Sequence, residues 1–468
     1  MLDKVYVLLT EAVGSFKGWP SDTWEFLCSI NNQQRYLIFF LFILYVNNQF
    51  CRYIMNYLYA EPSDTEFISV SRSTNISSFG YGNIIGFGFS LSFVFCGFCV
   101  ARVVEFYNRK RMLLFGLLVW SMGTILLSVA KDFGKLMMSR LFLGMGQSVC
   151  VPASFALLAQ VFPQDKNYVI IQGIYGYGLY VGQACISLIL LVVSVYGWKS
   201  CCHAIGTFGF ILAVILWWTI QEPVRKKKVK LKKELRVTKS TLEDSFKEIY
   251  DNNMLIVLFV AGSFRFMAEY VLSSFLPLFF LNKFPEHKQA FAIGNAAIIL
   301  MVGLVSTLLS TAAPRVYHFQ LDKPGSVGTS CTLLLLLVGC TFLGIFAAWL
   351  TFLVSSFSLS MFGMFLLYLL TEWWFRPFIF IFQRELTPQG RGAAIGYFSF
   401  VATLAGSVAA TVVGYFVGRE DNNLHGNVHV PPKNIVTALV WSISVLFVLS
   451  SLLFFVSLKG CKRGLSSC

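Results

Sequence analysis

The chain has 468 residues, of which 56% are hydrophobic and 13% are charged, and its formal net charge is +14. About a quarter of the residues of a soluble domain are charged, so this composition excludes a soluble globular protein. Apolar runs recur from residue 36 to residue 458. Spans of about 20 residues joined by short connections predict an all-α membrane protein with twelve transmembrane helices.

The apolar runs define the predicted spans. In chain order these spans are 36–58, 79–100, 112–130, 136–158, 168–193, 203–220, 254–280, 291–312, 327–348, 353–382, 393–416 and 435–458. No large soluble domain fits between them, which excludes a pump driven by a nucleotide-hydrolysing domain within this chain.

The segments between the spans divide the chain into five parts. A tail at 1–35 lacks the features of a removable signal peptide, and six spans follow at 36–220. A basic linker at 221–253 separates them from six further spans at 254–458, and a short tail occupies 459–468. The pattern predicts two six-helix bundles joined by a linker.

The distribution of Lys and Arg predicts the orientation of the helices. With both tails in the cytosol, the cytosolic segments hold roughly three times as many basic residues as the opposite segments, as the positive-inside rule requires. The sequon Asn-Ile-Ser at Asn75 then falls in the first non-cytosolic loop, where a glycan can be attached. Both signals predict cytosolic termini.

The linker 221–253 contains the basic run "EPVRKKKVKLKKELRV". Such a run can bind nucleic acid, but this one is tethered at the membrane surface, where anionic lipid is the adjacent partner. We therefore expect membrane lipids, and no nucleic acid, to bind this segment.

Four arginines lie inside predicted spans, where a full charge costs at least about 2.5–3.5 kcal/mol. They are Arg52, Arg140, Arg265 and Arg376, in the first, fourth, seventh and tenth spans. The period of three helices is typical of transporters built from repeats, with a substrate site at the repeat interface. We therefore expect these arginines to face a shared cavity, although Arg140 and Arg376 lie close enough to helix ends to reach the membrane surface instead.

Two carboxylates accompany these arginines at helical spacing. Arg265 and Glu269 are four residues apart, as are Glu372 and Arg376, so each pair can meet on one helix face. Two interpretations remain open: the pairs hold the bundle together as internal ion pairs, or they line a cavity. The excess of arginine over glutamate within the spans favours an anionic ligand, which arginine binds through paired hydrogen bonds.

The stretch "ARVVEFYNRKRM", between the second and third spans, resembles the cytosolic loop motif of the Major Facilitator Superfamily. Glu105 takes the acidic position, and Arg109 and Lys110 lie at the basic end, whereas Phe106 stands where a basic residue is common. "RLFLGMGQS", from Arg140, is similar to the fourth-helix motif of that superfamily. The resemblance implies two bundles that rock against each other and a gating role for the loop.

Shorter stretches resemble the spinster branch of this superfamily: "NQFCRY", "YNRK", "GWKS", "EPVR" and Glu372 in the tenth span. That resemblance implies transport of a lysophospholipid or a phosphorylated sphingoid base, in the late endosome or lysosome in preference to the plasma membrane. Cys51 and Gln147 depart from it, because spinster-like transporters usually have Asp and Glu there. Uniport and proton-linked transport both stay open, with Glu269 and Glu372 as candidates for proton coupling.

The predicted substrate site gathers polar residues from both halves of the chain. For a small anionic amphiphile it comprises Asn48, Arg52, Arg140, Gln147, Arg265, Glu269, Glu372 and Arg376. A water-soluble organic anion, such as a sugar phosphate or carboxylate, and a transport-inactive receptor or scaffold are the alternatives. We expect neither an enzyme nor a cofactor or metal, because the histidines lack metal-ligand spacing and no nucleophile motif occurs. A monomer is expected.

Overall fold

The computed structural model describes residues 29–61, 67–104, 107–162, 168–220, 246–321, 326–386, 391–418 and 432–466. The long helices are α1 (Asn32–Ala60), α2 (Ser78–Ile85, continued by Phe87–Val103), α3 (Arg109–Ser128), α4 (Phe133–Gln147, continued by Cys150–Val161), α5 (Tyr168–Ser187), α6 (Ile189–Thr219), α7 (Asn253–Lys283), α8 (Lys288–Leu321), α9 (Ser326–Leu353), α10 (Phe357–Thr371, continued by Phe375–Arg384), α11 (Arg391–Gly418) and α12 (Pro432–Ser466). Within the described ranges, eleven are long and apolar enough to span a membrane. Together with α5 they match the predicted twelve spans.

A glycine within α6 divides it into the end of the fifth span and the start of the sixth. The chain turns back at Gly197, whose φ of +75° lies in the left-handed region that glycine adopts without strain. A Cβ atom at this position would lie 2.7 Å from the ring of Phe67, and Trp198 donates its backbone N–H to the Phe67 carbonyl. The fifth span therefore extends past its predicted end at residue 193, and the sixth begins before residue 203.

The buried apolar residues of the described ranges form three large clusters and a small one. We call the side with the start of α1 and the end of α12 the termini side, and the opposite side the far side. At the far side a single cluster contains Tyr57 of α1, Phe275 of α7 and Ala410 of α11. Toward the termini side, separate clusters surround Trp120 in the α1–α6 bundle and Phe378 in the α7–α12 bundle. The two bundles are thus packed together at the far side and divided at the termini side.

A proline in α7 creates acceptors that the other bundle uses. Pro277 has no N–H for the carbonyl four residues earlier, which belongs to Ser273. Asn56 of α1 donates its Nδ2 to that carbonyl at 3.0 Å. The hydroxyl of Tyr81, on α2, donates to the adjacent carbonyl of Ser274 at 2.7 Å. These hydrogen bonds fix the two bundles to each other without exposing α7 backbone.

An ion pair also joins the bundles at the far side. Glu61, which caps the C-terminal end of α1, lies 2.7 Å from Lys288, the first residue of α8, and is only 6% exposed. Each charge stands at the unfavourable end of its helix dipole, since carboxylates are stabilised at helix N-termini and ammonium groups at C-termini. The pair therefore compensates two charges that each helix alone would disfavour.

Exchanging these two charges has a specific expected result. Glu61→Gln and Lys288→Gln should each lower the thermal unfolding temperature, because each leaves one largely buried charge without its partner. The double variant Glu61→Lys with Lys288→Glu restores the pair and places both charges at favourable helix ends, worth about 0.3–1 kcal/mol each. Its unfolding temperature should exceed that of the wild type. A double variant no more stable than the single ones would contradict this account.

Candidate functional site

A cavity of about 740 Å³ lies between the two bundles, on the termini side of their shared core. Residues of α1, α4 and α5 form one wall, and residues of α7, α8, α10 and α11 form the other. Its charged lining residues are Arg52, Arg265, Glu269, Glu372 and Arg376. These five predicted site residues, which are far apart in the sequence, are brought together.

The charges are unevenly divided between the walls. Among the described lining residues, Arg52 is the one charged group from the first bundle, whereas the second contributes two arginines and two glutamates. The Arg52 guanidinium lies 4.6 Å from the ring centre of Phe89 and 5.2 Å from that of Phe93. Cation–π contacts hold this side chain without neutralising it. The net positive charge of the cavity therefore lies on the α1 wall, which suits an anionic ligand.

A break in α10 shapes the opposite wall. Pro377 lacks an N–H, and its ring would clash with the carbonyl four residues earlier, so the helix ends at Thr371 and resumes at Phe375. Thr371, the last residue before the break, offers its carbonyl to a side chain of another helix. Arg265 of α7, which is only 1% exposed, donates its Nη2 to this carbonyl at 2.6 Å. The break in one helix thus positions a buried arginine of another.

Trp374, within the break, lies between two charged groups of α7. Its ring centre is 5.2 Å from the Arg265 guanidinium, and its Nε1 donates to Glu269 Oε2 at 2.8 Å. Among the described residues, neither Arg265 with Glu269 nor Glu372 with Arg376 forms an ion pair within 4 Å. The Glu269 carboxylate accepts a hydrogen bond from Trp374 and not from Arg265. Glu372 and Arg376 lie on either side of the break in α10, so they are not four residues apart on one continuous helix. Neither of the two predicted pairs therefore makes a direct ion pair in this conformation.

Replacing Trp374 by phenylalanine should lower stability and transport together. The variant keeps a ring beside Arg265 but removes the N–H that binds Glu269, and a hydrogen bond to a charged group is worth about 1.5–3 kcal/mol. Thermal unfolding of the purified protein measures the loss. Trp373→Phe, one residue earlier, is the matched control. Equal unfolding temperatures for the two variants would refute a specific role for Trp374.

The other three predicted site residues lie behind the α1 wall. Gln147 of α4 donates its Nε2 to the backbone carbonyl of Asn48 at 2.8 Å, and both residues are buried within the first bundle. Arg140 is 2% exposed and donates its Nη1 to the backbone carbonyl of Arg52 at 3.0 Å. None of the three lines the central cavity. They support the part of α1 that presents Arg52.

Aromatic side chains that no sequence motif identifies form much of the cavity wall. Tyr180 of α5 lines it and bonds through its hydroxyl to Ser306 Oγ of α8 at 3.2 Å. In the sequence, a tyrosine that lines a cavity looks the same as a tyrosine that faces lipid. Only the packing of the helices distinguishes the two. The sequence does contain a signal for Trp374. Pro377, three residues later, favours a helix break that leaves the Trp374 indole outside regular helix.

The described part of the gating loop binds within the first bundle. Arg109 donates its Nη1 to Gln160 Oε1 of α4, and Lys110 donates its Nζ to the carbonyl of Trp217 in α6 at 2.7 Å. Glu105 lies outside the described residues. At the far side, Asn75 is exposed and ends the short helix Val70–Thr74 with a left-handed φ of 49°. The loop and the sequon therefore lie at opposite ends of the bundle.

Two relatives show what the chain resembles in sequence. The hexuronate transporter of Bacillus subtilis (strain 168) is 23% identical over 340 residues, which cover 71% of this chain and 78% of that protein. The chloroplastic sodium-dependent phosphate transport protein 1 of Arabidopsis thaliana is 31% identical over 116 residues, 24% of this chain. The chain matches only 22% of the length of the Arabidopsis protein.

The architecture resembles solved transporter structures over nearly its whole length. A bacterial homologue of the human lysosomal transporter Spinster, in an inward-facing and unoccupied conformation, has a TM-score of 0.75 at 17% identity. The match covers 93% of this chain and 99% of that one, which confirms the expected spinster-like form of the fold. The family model for the Major Facilitator Superfamily matches residues 34–410. The chain therefore belongs to the Major Facilitator Superfamily, whose members are membrane transporters and not enzymes.

Proposed function

We propose that this protein is an alternating-access transporter of a small anionic amphiphile, with a lysophospholipid or a phosphorylated sphingoid lipid as the substrate class. The observation that carries the proposal is an apolar groove beside the charged cavity. An amphiphile needs both, because its head requires a cationic site and its tail requires an apolar one. The central cavity, at about 740 Å³, is within the range of about 300–1,000 Å³ typical of small-molecule sites.

The groove has a volume of about 450 Å³ and lies among α1, α5 and α8. Phe39 and Phe42 line it from α1, Ile174 from α5 and Leu304 from α8. Gly173 and Thr307 line both the groove and the central cavity, so the two spaces adjoin. A single-chain lipid with its head in the cavity can place its tail in this groove.

In this proposal the anionic head lies between Arg52 on α1 and Arg376 on α10, one from each bundle. Arg265, Glu269 and Glu372 set the charge of the second wall, and the two glutamates are the candidates for proton coupling if transport is not uniport. Asn48, Arg140 and Gln147 act from behind the wall by holding α1. The head thereby couples the two bundles, as alternating access at a repeat interface requires.

The same proposal extends to topology and location. The bundles 36–220 and 254–458 rock about the cavity, and the linker 221–253 and both tails, 1–35 and 459–468, are cytosolic. The termini side is then the cytosolic side, and the loop with Glu105, Arg109 and Lys110 gates it. Asn75 carries a glycan on the far side, and the monomer resides in the late endosome or lysosome. Likeness to the bacterial Spinster homologue supports this conformational cycle.

Binding of a matched pair of ligands tests the amphiphile class. Lysophosphatidic acid and glycerol 3-phosphate share a phosphate head and differ in the acyl tail. We expect Leu304→Trp, which fills the groove, to weaken lysophosphatidic acid binding to the purified protein at least tenfold, about 1.4 kcal/mol, and to leave glycerol 3-phosphate unchanged. Leu343→Trp, on an exposed face of α9, is the matched control. Equal binding of both ligands by the wild type would overturn the amphiphile proposal.

A water-soluble organic anion is the second candidate. It is favoured by the similarity to the Bacillus subtilis hexuronate transporter, which covers 78% of that protein. The charged cavity alone would serve such a substrate, and the groove would then hold membrane lipid. If the wild type binds glucuronate or glycerol 3-phosphate at least as tightly as lysophosphatidic acid, and Arg52→Gln loses this binding, the function is transport of a water-soluble anion instead.

A further inference from the structure

Arg140 is a buried cation whose hydrogen-bond donors are mostly unused. It is 2% exposed, and its Nη1 binds the Arg52 carbonyl, but its Nε and Nη2 have no partner although both atoms are buried. A buried N–H without an acceptor costs about 1–3 kcal/mol, and more for a charged group. An arginine deep inside a bundle therefore calls for an acceptor that the protein itself does not provide.

A small void adjoins this side chain. Its volume is about 20 Å³, and it lies between α1, α2, α4 and α7, behind the wall of the central cavity. Arg52 and Arg140 both line it, and no carboxylate does among the described residues. Two polar side chains in its wall, Asn56 and Tyr270, donate their hydrogens to the backbone carbonyls of Ser273 and Ile85.

The electrostatics of the void distinguish an anion from a water molecule. A void of this size holds one particle about as large as water. Water would accept hydrogen bonds from Arg140 but would leave its charge uncompensated, and a buried unpaired charge costs several kcal/mol. Cys51, which precedes Arg52 on α1, and Gln147, on the same helix as Arg140, are neutral and buried. A monovalent anion supplies both the acceptor and the missing charge.

We propose that a halide ion, chloride under cellular conditions, occupies the void between Arg140 and Arg52. The ion accepts from the free Nε and Nη2 groups of Arg140 and compensates the positive charge of the first bundle. Because Arg140 also holds the Arg52 backbone, the halide fixes the position from which Arg52 reaches the central cavity. The void is too small for phosphate, sulfate or an organic anion, so this site is distinct from the substrate site.

Direct binding of radioactive chloride tests the proposal on the wild-type protein. We expect the purified full-length chain to bind ³⁶Cl⁻ saturably, with bromide competing and gluconate or sulfate not competing at equal ionic strength. In crystals grown with bromide, an anomalous peak should lie beside Arg140. Monodisperse protein that binds no chloride saturably would show that the void holds only water and would overturn the proposal.

Variants of two buried arginines distinguish a specific chloride site from a general effect of positive charge. Arg140→Gln should weaken chloride binding at least tenfold. Arg265→Gln is the matched control, because Arg265 also has two buried nitrogens without partners but interacts electrostatically with Glu269 and Glu372. It should bind chloride like the wild type. Undiminished binding in Arg140→Gln, or equal loss in both variants, would overturn the proposal.

A stability measurement on the wild type covers the case in which Arg140→Gln fails to fold. A ligand that binds only the folded state raises the unfolding temperature as its concentration increases. The wild type should therefore unfold at a higher temperature in chloride or bromide than in gluconate. Equal unfolding temperatures in these salts would count against the site even without any variant.

Discussion

Arg52→Gln is expected to lower the kcat/KM of anionic-substrate uptake by about 10- to 150-fold. The side chain carries the net positive charge of the cavity and is held by Phe89 and Phe93 without a carboxylate partner in that wall. A hydrogen bond to a charged group is worth about 1.5–3 kcal/mol, which gives this range. Initial uptake rates into proteoliposomes over a range of substrate concentrations measure it.

Arg102→Gln provides the control for loss of a cation as such. Arg102 lies at the exposed termini-side end of α2, where its guanidinium is 4.1 Å from the ring centre of Phe98, and it does not line the cavity. Its replacement should leave uptake within about twofold of the wild type. Arg52→Lys should retain part of the rate, because it keeps the charge but loses paired hydrogen bonding. Equal rates for Arg52→Gln and the wild type would remove Arg52 from the substrate site.

Gly82→Val is expected to reduce uptake to less than a tenth of the wild-type rate for any substrate. Gly82 of α2 lies against α11 where the bundles join at the far side. A Cβ atom there would be 2.7 Å from the carbonyl oxygen of Ala410 and 3.1 Å from the Cα of Thr411, and neither backbone atom can move aside locally. The two bundles can then no longer pack together at the far side, and a transport cycle that requires this packing stops.

Gly97→Val is the matched control on the same helix. The nearest atom to a Cβ at Gly97 is Ser148 Cβ at 3.8 Å, an ordinary van der Waals contact, while the helix-propensity cost of valine is similar at both sites. Phe79 of α2 and Tyr415 of α11 have ring centres 6.1 Å apart. Cross-linking of cysteines introduced at these two positions reports closure of the far side. Efficient cross-linking and normal uptake in Gly82→Val would contradict the role of the α2–α11 contact in closing the far side.

Hydropathy and charge predict the helices of this protein well but not the faces of those helices. Three of the four arginines that follow the period of three spans, Arg52, Arg265 and Arg376, line one cavity. Arg140 follows the same period but lies one layer deeper, behind α1. Its depth depends on which ridge of α4 packs against α1, and a single sequence does not specify that packing.

The helix breaks illustrate a second limit. A continuous span was predicted over 353–382, although Pro377 lies within it and ends the first part of α10 at Thr371. A proline in α7, Pro277, lies inside a helix that continues unbroken to Lys283, and Asn56 of the other bundle binds the carbonyl that it frees. The same residue type therefore breaks one helix and not the other. Proline alone therefore does not predict where a membrane helix breaks.

Net movement of labelled lysophosphatidic acid across the membrane of proteoliposomes is the measurement we would make first. Glycerol 3-phosphate and glucuronate are assayed in parallel, with Gly82→Val as the transport-deficient reference. We predict that the wild type moves the lipid in a time-dependent, saturable manner, that Gly82→Val does not, and that neither tailless anion is moved at a comparable rate. Wild-type protein that moves none of the three, or moves the tailless anions faster than the lipid, would contradict an amphiphile transporter.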